Sequence, residues 1–185
     1  EAIETTETDA VVFSDFRHGM FNHWTVPQLT EAIPADVYKV ADSQVASRWG
    51  NITEFKGFDL ITPNEREARF ALGDQDSTVG SLAGALADST DCTLLILKLG
   101  DRGAFVSRKR NEDNTPADNY FSVDSFAHNI ADAVGAGDAL LSYATLAMLA
   151  TRNEVIASVL GSMAAACECE IDGNVPIKPS DVLAR

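Results

Sequence analysis

Residues 92–100, Cys-Thr-Leu-Leu-Ile-Leu-Lys-Leu-Gly, narrow the possible folds more than any other stretch of the chain. This is a strand-length run, almost wholly apolar, closed by a glycine. A strand without polar alternation is buried on both faces, and such strands belong to sheets covered by helices on each side. Shorter runs repeat the theme. AVVFSD (10–15), DVYKVAD (36–42) and FDLITPN (58–64) each read as a strand ending in polar residues or proline. Between them lie segments with helical character. TVPQLTEAI (25–33) carries Pro27 near its first turn, where proline is tolerated. NEREARFAL (64–72) is closed by Gly73, a C-terminal cap, and STVGSLAGALADS (77–89) is a further helix. Strand and helix alternate, which predicts an α/β fold with a mainly parallel sheet.

The later chain departs from that rhythm. GAFVSRK (103–109) and NYFSVDSF (119–126) predict an antiparallel pair, with RNEDNTPAD (110–118) as an exposed hairpin loop. DALLSYATLAMLA (138–150) is apolar on nearly every face and predicts a buried helix. NEVIASVLGSMAAACECE (153–170) has helical spacing of its apolar residues, and PSDVLAR predicts a short closing helix. There is neither an internal repeat nor a linker composition, so a single domain over 1–185 is expected.

Charge and cysteine usage exclude several partners. The net charge of −14 argues against duplex nucleic acid and anionic membrane surfaces, which need a basic face. Small anions stay possible, since a few backbone N–H groups can hold a phosphate on an acidic protein. Cys92, Cys167 and Cys169 are odd in number and do not space as a disulfide framework, so reduced thiols in a cytoplasmic protein are expected. His18, His23 and His128 are too scattered to suggest zinc. The opening EAIETTETDA is acidic where a signal peptide would be basic, and no apolar run is long enough to span a bilayer.

Four constellations can carry chemistry. In DAVGAGDALL (132–141), Gly135 and Gly137 free the backbone before an apolar helix, and Asp138 sits at or just inside its first turn. Converging N–H groups there attract an anion, and the carboxylate can take a proton from an attacking hydroxyl. Plain helix–sheet packing explains the same residues. The pattern is neither G-x-x-x-x-G-K-[ST] nor G-x-G-x-x-G. In TPNERE (62–67), Asn64 and Glu67 form a capping-box spacing, or else face a cleft at a strand's carboxyl end and hold water and Mg²⁺ beside phosphate oxygens. In LKLGDRGAFV (97–106), Gly100 and Gly103 frame a turn after Lys98, either a hairpin or a nucleotide edge. In VVFSDFRHG (11–19), Asp15 ends a strand and Gly19 follows, where ligands bind in open α/β sheets.

Each signal is weak alone, but their order is not. SDFRHG, a strand ending at Asp42, FDLITPNEREA, LLILKLGDRGAFV and VDSFAHNIADAVGAGDALLSYATLAML together resemble the PfkB, or ribokinase-like, family of carbohydrate kinases over essentially the whole chain. DAVGAGDAL looks like the family's second signature, Asp-Thr-x-Gly-Ala-Gly-Asp. VVFSDFRHGMF and DLITPNEREARFALGD look closest to the kinase module of bifunctional ADP-heptose synthases.

The resemblance implies ATP-dependent phosphorylation of a sugar or sugar phosphate. Asp138 would be the catalytic base, and the N–H groups of Gly135, Ala136 and Gly137 the anion hole. Asn64 and Glu67 would position Mg²⁺ and phosphates, indirectly through water. Lys98, Gly100 and Gly103 would line the nucleotide, and Asp15 and Gly19 would lie on the substrate side. Asp132 and Val134 stand where some members hold a monovalent cation such as K⁺. Two residues depart from the pattern: Ala133 replaces the signature threonine, and Lys98 stands where threonine is common. The family's first strands, sugar-binding residues and β lid have no counterpart here, so the chain is expected to be the C-terminal, ATP-binding portion of such a kinase. A homodimer or a preceding segment is then expected to cover an open sheet edge, and little activity is expected of the chain alone. A catalytically inactive scaffold or nucleotide sensor, and a nucleoside kinase of the same fold, are the alternatives.

Overall fold

A computed structural model describes residues 7–44, 52–109, 119–173 and 175–185. It divides into two compact units: residues 1–97 with 107–120, and residues 98–106 with 121–185. Six strands hydrogen-bond in chain order, β1 (Ala10–Asp15), β2 (Tyr38–Ser43), β3 (Leu60–Ile61), β4 (Leu94–Lys98), β5 (Ala104–Arg108) and β6 (Tyr120–Val123). β1 runs parallel to β2 from Ala10↔Tyr38 to Asp15↔Ser43, β2 parallel to β3, and β3 parallel to β4. β5 reverses direction: Leu99 N–H donates to Gly103 O at one end, and Lys109 N–H to Thr93 O at the other. The expected α/β architecture with a mainly parallel sheet is the one found. The hairpin loop expected at 110–118 lies outside the described residues.

The first unit carries α1 (Thr25–Glu31), α2 (Glu65–Leu72) and α3 (Val79–Thr90). Its core is aromatic at one end. Phe13 of β1 meets Phe21, Phe55 and Phe58 at ring-centroid distances of 5.3, 5.8 and 5.3 Å. Tilted and edge-on pairs of this kind add about 0.5–1.5 kcal/mol each beyond the area they bury. The strand expected over 58–64 shrinks to Leu60–Ile61. Phe58 and Thr62 are fully buried all the same, so the apolar run reported burial rather than ladder pairing. Among the described residues β1 pairs on one side only, and Val12 on it is 45% exposed.

The second unit is built on α4 (Ala136–Thr151) and α5 (Glu154–Cys169). They pack closely because Gly161 has no side chain: a Cβ there would lie 3.0 Å from Leu140 O and 3.2 Å from the Ala144 methyl. The short α6 (Pro179–Leu183) seats Val182 against Ala164 and Cys167. Tyr143 Oη donates to Ile177 O at 3.0 Å, tying α4 to the segment before α6. α4 begins two residues earlier than the apolar pattern suggests, since Ala136 and Gly137 carry no amphipathic signal but still adopt the first helical turn.

Candidate functional site

In the first unit, candidate residues gather at the carboxyl ends of parallel strands. Asp15 ends β1 beside Ser43, which ends β2. Asp15 is buried, and both its oxygens have internal partners. Oδ1 accepts from Arg17 N–H at 2.8 Å, while Oδ2 accepts from Arg17 Nη1 at 2.6 Å and from Ser43 Oγ at 3.0 Å. Arg17 is only 6% exposed and sits in the left-handed backbone region at φ 58°. That conformation costs roughly 1–2 kcal/mol for a non-glycine residue, and the double grip of Asp15 offsets it. Glu54 Oε2 lies 4.0 Å from Arg17 Nη1; burial pushes the Glu54 carboxyl up, with the Arg17 charge opposing. Arg17 and Ser43 escaped the sequence reading. Ser43 lies 28 positions from Asp15, and no local spacing signals such a pair. Gly19, at φ 97°, is exposed in the loop that follows.

Asn64 and Glu67 are brought together. Asn64 Oδ1 accepts from Glu67 N–H at 2.8 Å, and Glu67 Oε2 accepts from Asn64 N–H at 2.6 Å. This complete capping box seals the start of α2. Asn64 Oδ1 and the Glu67 carboxylate are oxygen donors, the type that an oxygen-ligated cation held through water takes.

In the second unit, Lys98 is the half-buried last residue of β4, and a single 3₁₀ turn, Gly100–Arg102, follows. Gly103 then passes β6 at backbone distance. A Cβ at Gly103 would fall 2.1 Å from Val123 O and 2.7 Å from Ser125 N, so no other residue fits.

The start of α4 differs from the other long helix starts. α2, α3 and α5 are capped by the side chains of Asn64, Thr78 and Asn153. α4 is preceded by Gly135 at φ 88°, with no side-chain cap. Gly137 and Asp138 lie in its first turn, and both are half-buried. Of the two glycines of the motif, only Gly135 adopts a positive φ. A helix start whose N-cap residue offers no side chain, together with the dipole, suits an anion, and Asp138 places a carboxylate in the same turn.

The loop before α4 is tied to the end of α5. Ala131 N–H and Asp132 N–H donate to Cys169 O at 2.7 and 3.2 Å, and His128 N–H donates to Glu170 Oε1 at 2.7 Å. Asp132 Oδ1 accepts from Val134 N–H at 3.0 Å, and Val134 is exposed. Asp132 and the loop carbonyls are oxygen donors only, a set that suits a hard monovalent cation. Burial pushes the Cys169 thiol up, and the carboxylates of Glu168, Glu170 and Asp132 add to this, so it stays protonated and unreactive near neutral pH. Among the described residues no group of three or more His, Cys, Asp or Glu side chains is arranged to hold a metal, and no helix is long and apolar enough to cross a membrane.

Residues 6–176 match the pfkB family carbohydrate kinase. The chain belongs to the pfkB family. Within it, the chain is 24% identical over 184 residues to "Bifunctional protein HldE" of Desulfatibacillum aliphaticivorans, covering 97% of this chain and 35% of that protein. It is 26% identical over 150 residues to "D-beta-D-heptose 7-phosphate kinase" of Bordetella bronchiseptica, covering 80% and 43%. Among solved structures it is similar to Arabidopsis thaliana ribokinase complexed with ribose and ATP, with TM-score 0.74, 19% identity and coverage of 95% and 55%. The pfkB-family chain thus spans between about a third and a little over half the length of these relatives, and its fold is ribokinase-like, as the motif order implied.

Proposed function

We propose that this chain supplies the nucleotide site, anion hole and catalytic base of an ATP-dependent kinase acting on a sugar or sugar phosphate. The observation that carries the reading is the uncapped start of α4, with Gly135 left-handed and Asp138 in the first turn. Names of relatives support the substrate class: a heptose 7-phosphate kinase and a ribokinase seen with ribose and ATP. In this reading the N–H groups of Gly135, Ala136 and Gly137 receive the charge that develops on the transferred phosphoryl. Asp138 takes the proton of the attacking hydroxyl. Preorganised donors of this kind are worth about 2.7–4 kcal/mol each when removed singly. Lys98, Gly100 and Gly103 line the nucleotide.

Mg²⁺, when bound, supplies charge neutralisation between phosphate oxygens. Asn64 and Glu67 would hold it through water while still capping α2, and Asp132 with the Val134 backbone would hold K⁺. Asp15 and Gly19 lie on the acceptor side, with Asp15 acting through the loop that Arg17 fixes. The outer edge of β1, with Val12 exposed, is where further strands or a second copy would add.

The test is Asp138→Asn in a protein that also carries an acceptor-binding region, followed by coupled ADP release. Lost turnover with nucleotide affinity retained supports catalysis. Unchanged activity favours a nucleotide-binding scaffold, for which Ala133 and Lys98, both departures from the family signature, already speak.

A further inference from the structure

The start of α4 has no cap of its own, yet it must be rigid if it is to hold a transferring phosphoryl. What steadies it comes from the far end of the next helix. Just past α5, Glu170 Oε1 accepts from His128 N–H at 2.7 Å, and its other oxygen pairs with Arg185 Nη2 at 2.5 Å. One residue earlier, Cys169 O accepts from Ala131 and Asp132. The segment 128–132 is thus gripped through backbone N–H groups, and it runs directly through Asp132, whose carboxylate orders Val134, into Gly135. Arg185 is itself anchored: Nη1 donates to Cys167 Sγ at 3.7 Å, and Cys167 Sγ donates to Asp181 O at 3.6 Å. No local spacing announces this device, since Glu170 and His128 are 42 positions apart.

We propose that Glu170, braced by Arg185, is a positioning residue that sets the approach of the 128–134 loop to the anion hole. Glu170 touches no reacting group; it acts on Gly135–Asp138 through the backbone it holds. A carboxylate accepting a backbone N–H on one side and a guanidinium on the other makes a charge-assisted link, stiffer than neutral hydrogen bonds. The inference rests on the kinase reading of α4.

The experiment compares wild type, Glu170→Ala, Glu170→Gln and Arg185→Met in the full chain by two independent measurements. Amide hydrogen exchange reads the loop directly: Glu170→Ala should speed exchange at His128 by about tenfold or more, with α4 and α5 protection retained. Titration with MgADP, alone and with aluminium fluoride as a mimic of the transferring phosphoryl, reads the anion hole. Wild type should bind the fluoride complex more tightly, and Glu170→Ala should lose about tenfold of that gain while MgADP affinity alone stays within about twofold. Glu170→Gln keeps one acceptor oxygen and should recover part of the gain; Arg185→Met should fall between. Unchanged exchange in Glu170→Ala overturns the proposal. So does faster exchange with the full fluoride gain retained, which would make the contact structural only. A wild-type chain that binds MgADP but gains nothing from fluoride defeats the kinase reading of α4, and the inference falls with it. That outcome is told apart from the others by the wild-type titration alone.

Discussion

Two helices of this chain begin in opposite ways, and the difference separates structure from chemistry. α2 opens on Asn64 and Glu67, which satisfy one another's backbone donors reciprocally. α4 opens on a left-handed glycine with no side chain to offer. Both starts carry the same positive end of a helix dipole. Evenly matched in that respect, they differ in whether the N-cap residue's own side chain covers a donor. A sealed start is a stability device, and any ligand role there is added to it. An open start leaves part of its stabilisation to be supplied from outside, by an anion or by a distant brace such as Glu170.

The contrast can be broken by experiment. The largest effect is expected at Asp138→Asn, where turnover should fall by about 10²–10⁴-fold if the carboxylate is the base. A coupled assay measures this, and a fall below tenfold would return α4 to the structural class of α2. Next comes Gly135→Ala. Forcing a side chain into φ 88° should destabilise by about 1–2 kcal/mol in urea unfolding, and aluminium fluoride binding should weaken with it. If stability falls and binding does not, the left-handed turn serves the fold alone. Asn64→Ala should cost about 1 kcal/mol through the lost cap. A magnesium titration of ADP affinity sharpens the point: a changed magnesium dependence in Asn64→Ala gives the sealed start a second role, and an unchanged one leaves it a cap.

The smallest effect is one of pH. The His128 N–H holds the Glu170 carboxyl below its ordinary 4.5, with Arg185 adding to it. A lowered carboxyl contributes stability above 4.5 that is lost as pH falls through its folded value. The deficit of Glu170→Gln against wild type, followed by thermal melts, should therefore be full at neutral pH and close in acid. Glu54 runs the other way, because burial raises it above 4.5. Glu54→Gln should gain on wild type as pH rises through that raised value, and a gain confined to acid would contradict the assignment.

How much of this was legible beforehand follows from the range of each signal. β4 reads clearly because Leu94 to Leu97 are all buried and contiguous. α5 reads because its apolar positions recur with the helical period. The order of NERE, KLGDRG and GAGD, each uninformative alone, carried the family. Hidden from the sequence were the contacts made across long separations: the Arg17–Asp15–Ser43 cluster and the Glu170 brace. A buried arginine in FRHG looks like a solvent-facing turn until the partner strand is in place.

Gly103 sets a rule for the second half of the sheet. β6 is Tyr-Phe-Ser-Val, and only Val123 is buried, so side-chain alternation says little about how it should align with β5. Slide β6's partner by one position and Ala104 would stand where Gly103 stands, driving a methyl into Val123 O. Misalignment here is policed by collision rather than by preference. A single missing methyl group works as the proofreader of a weakly patterned strand.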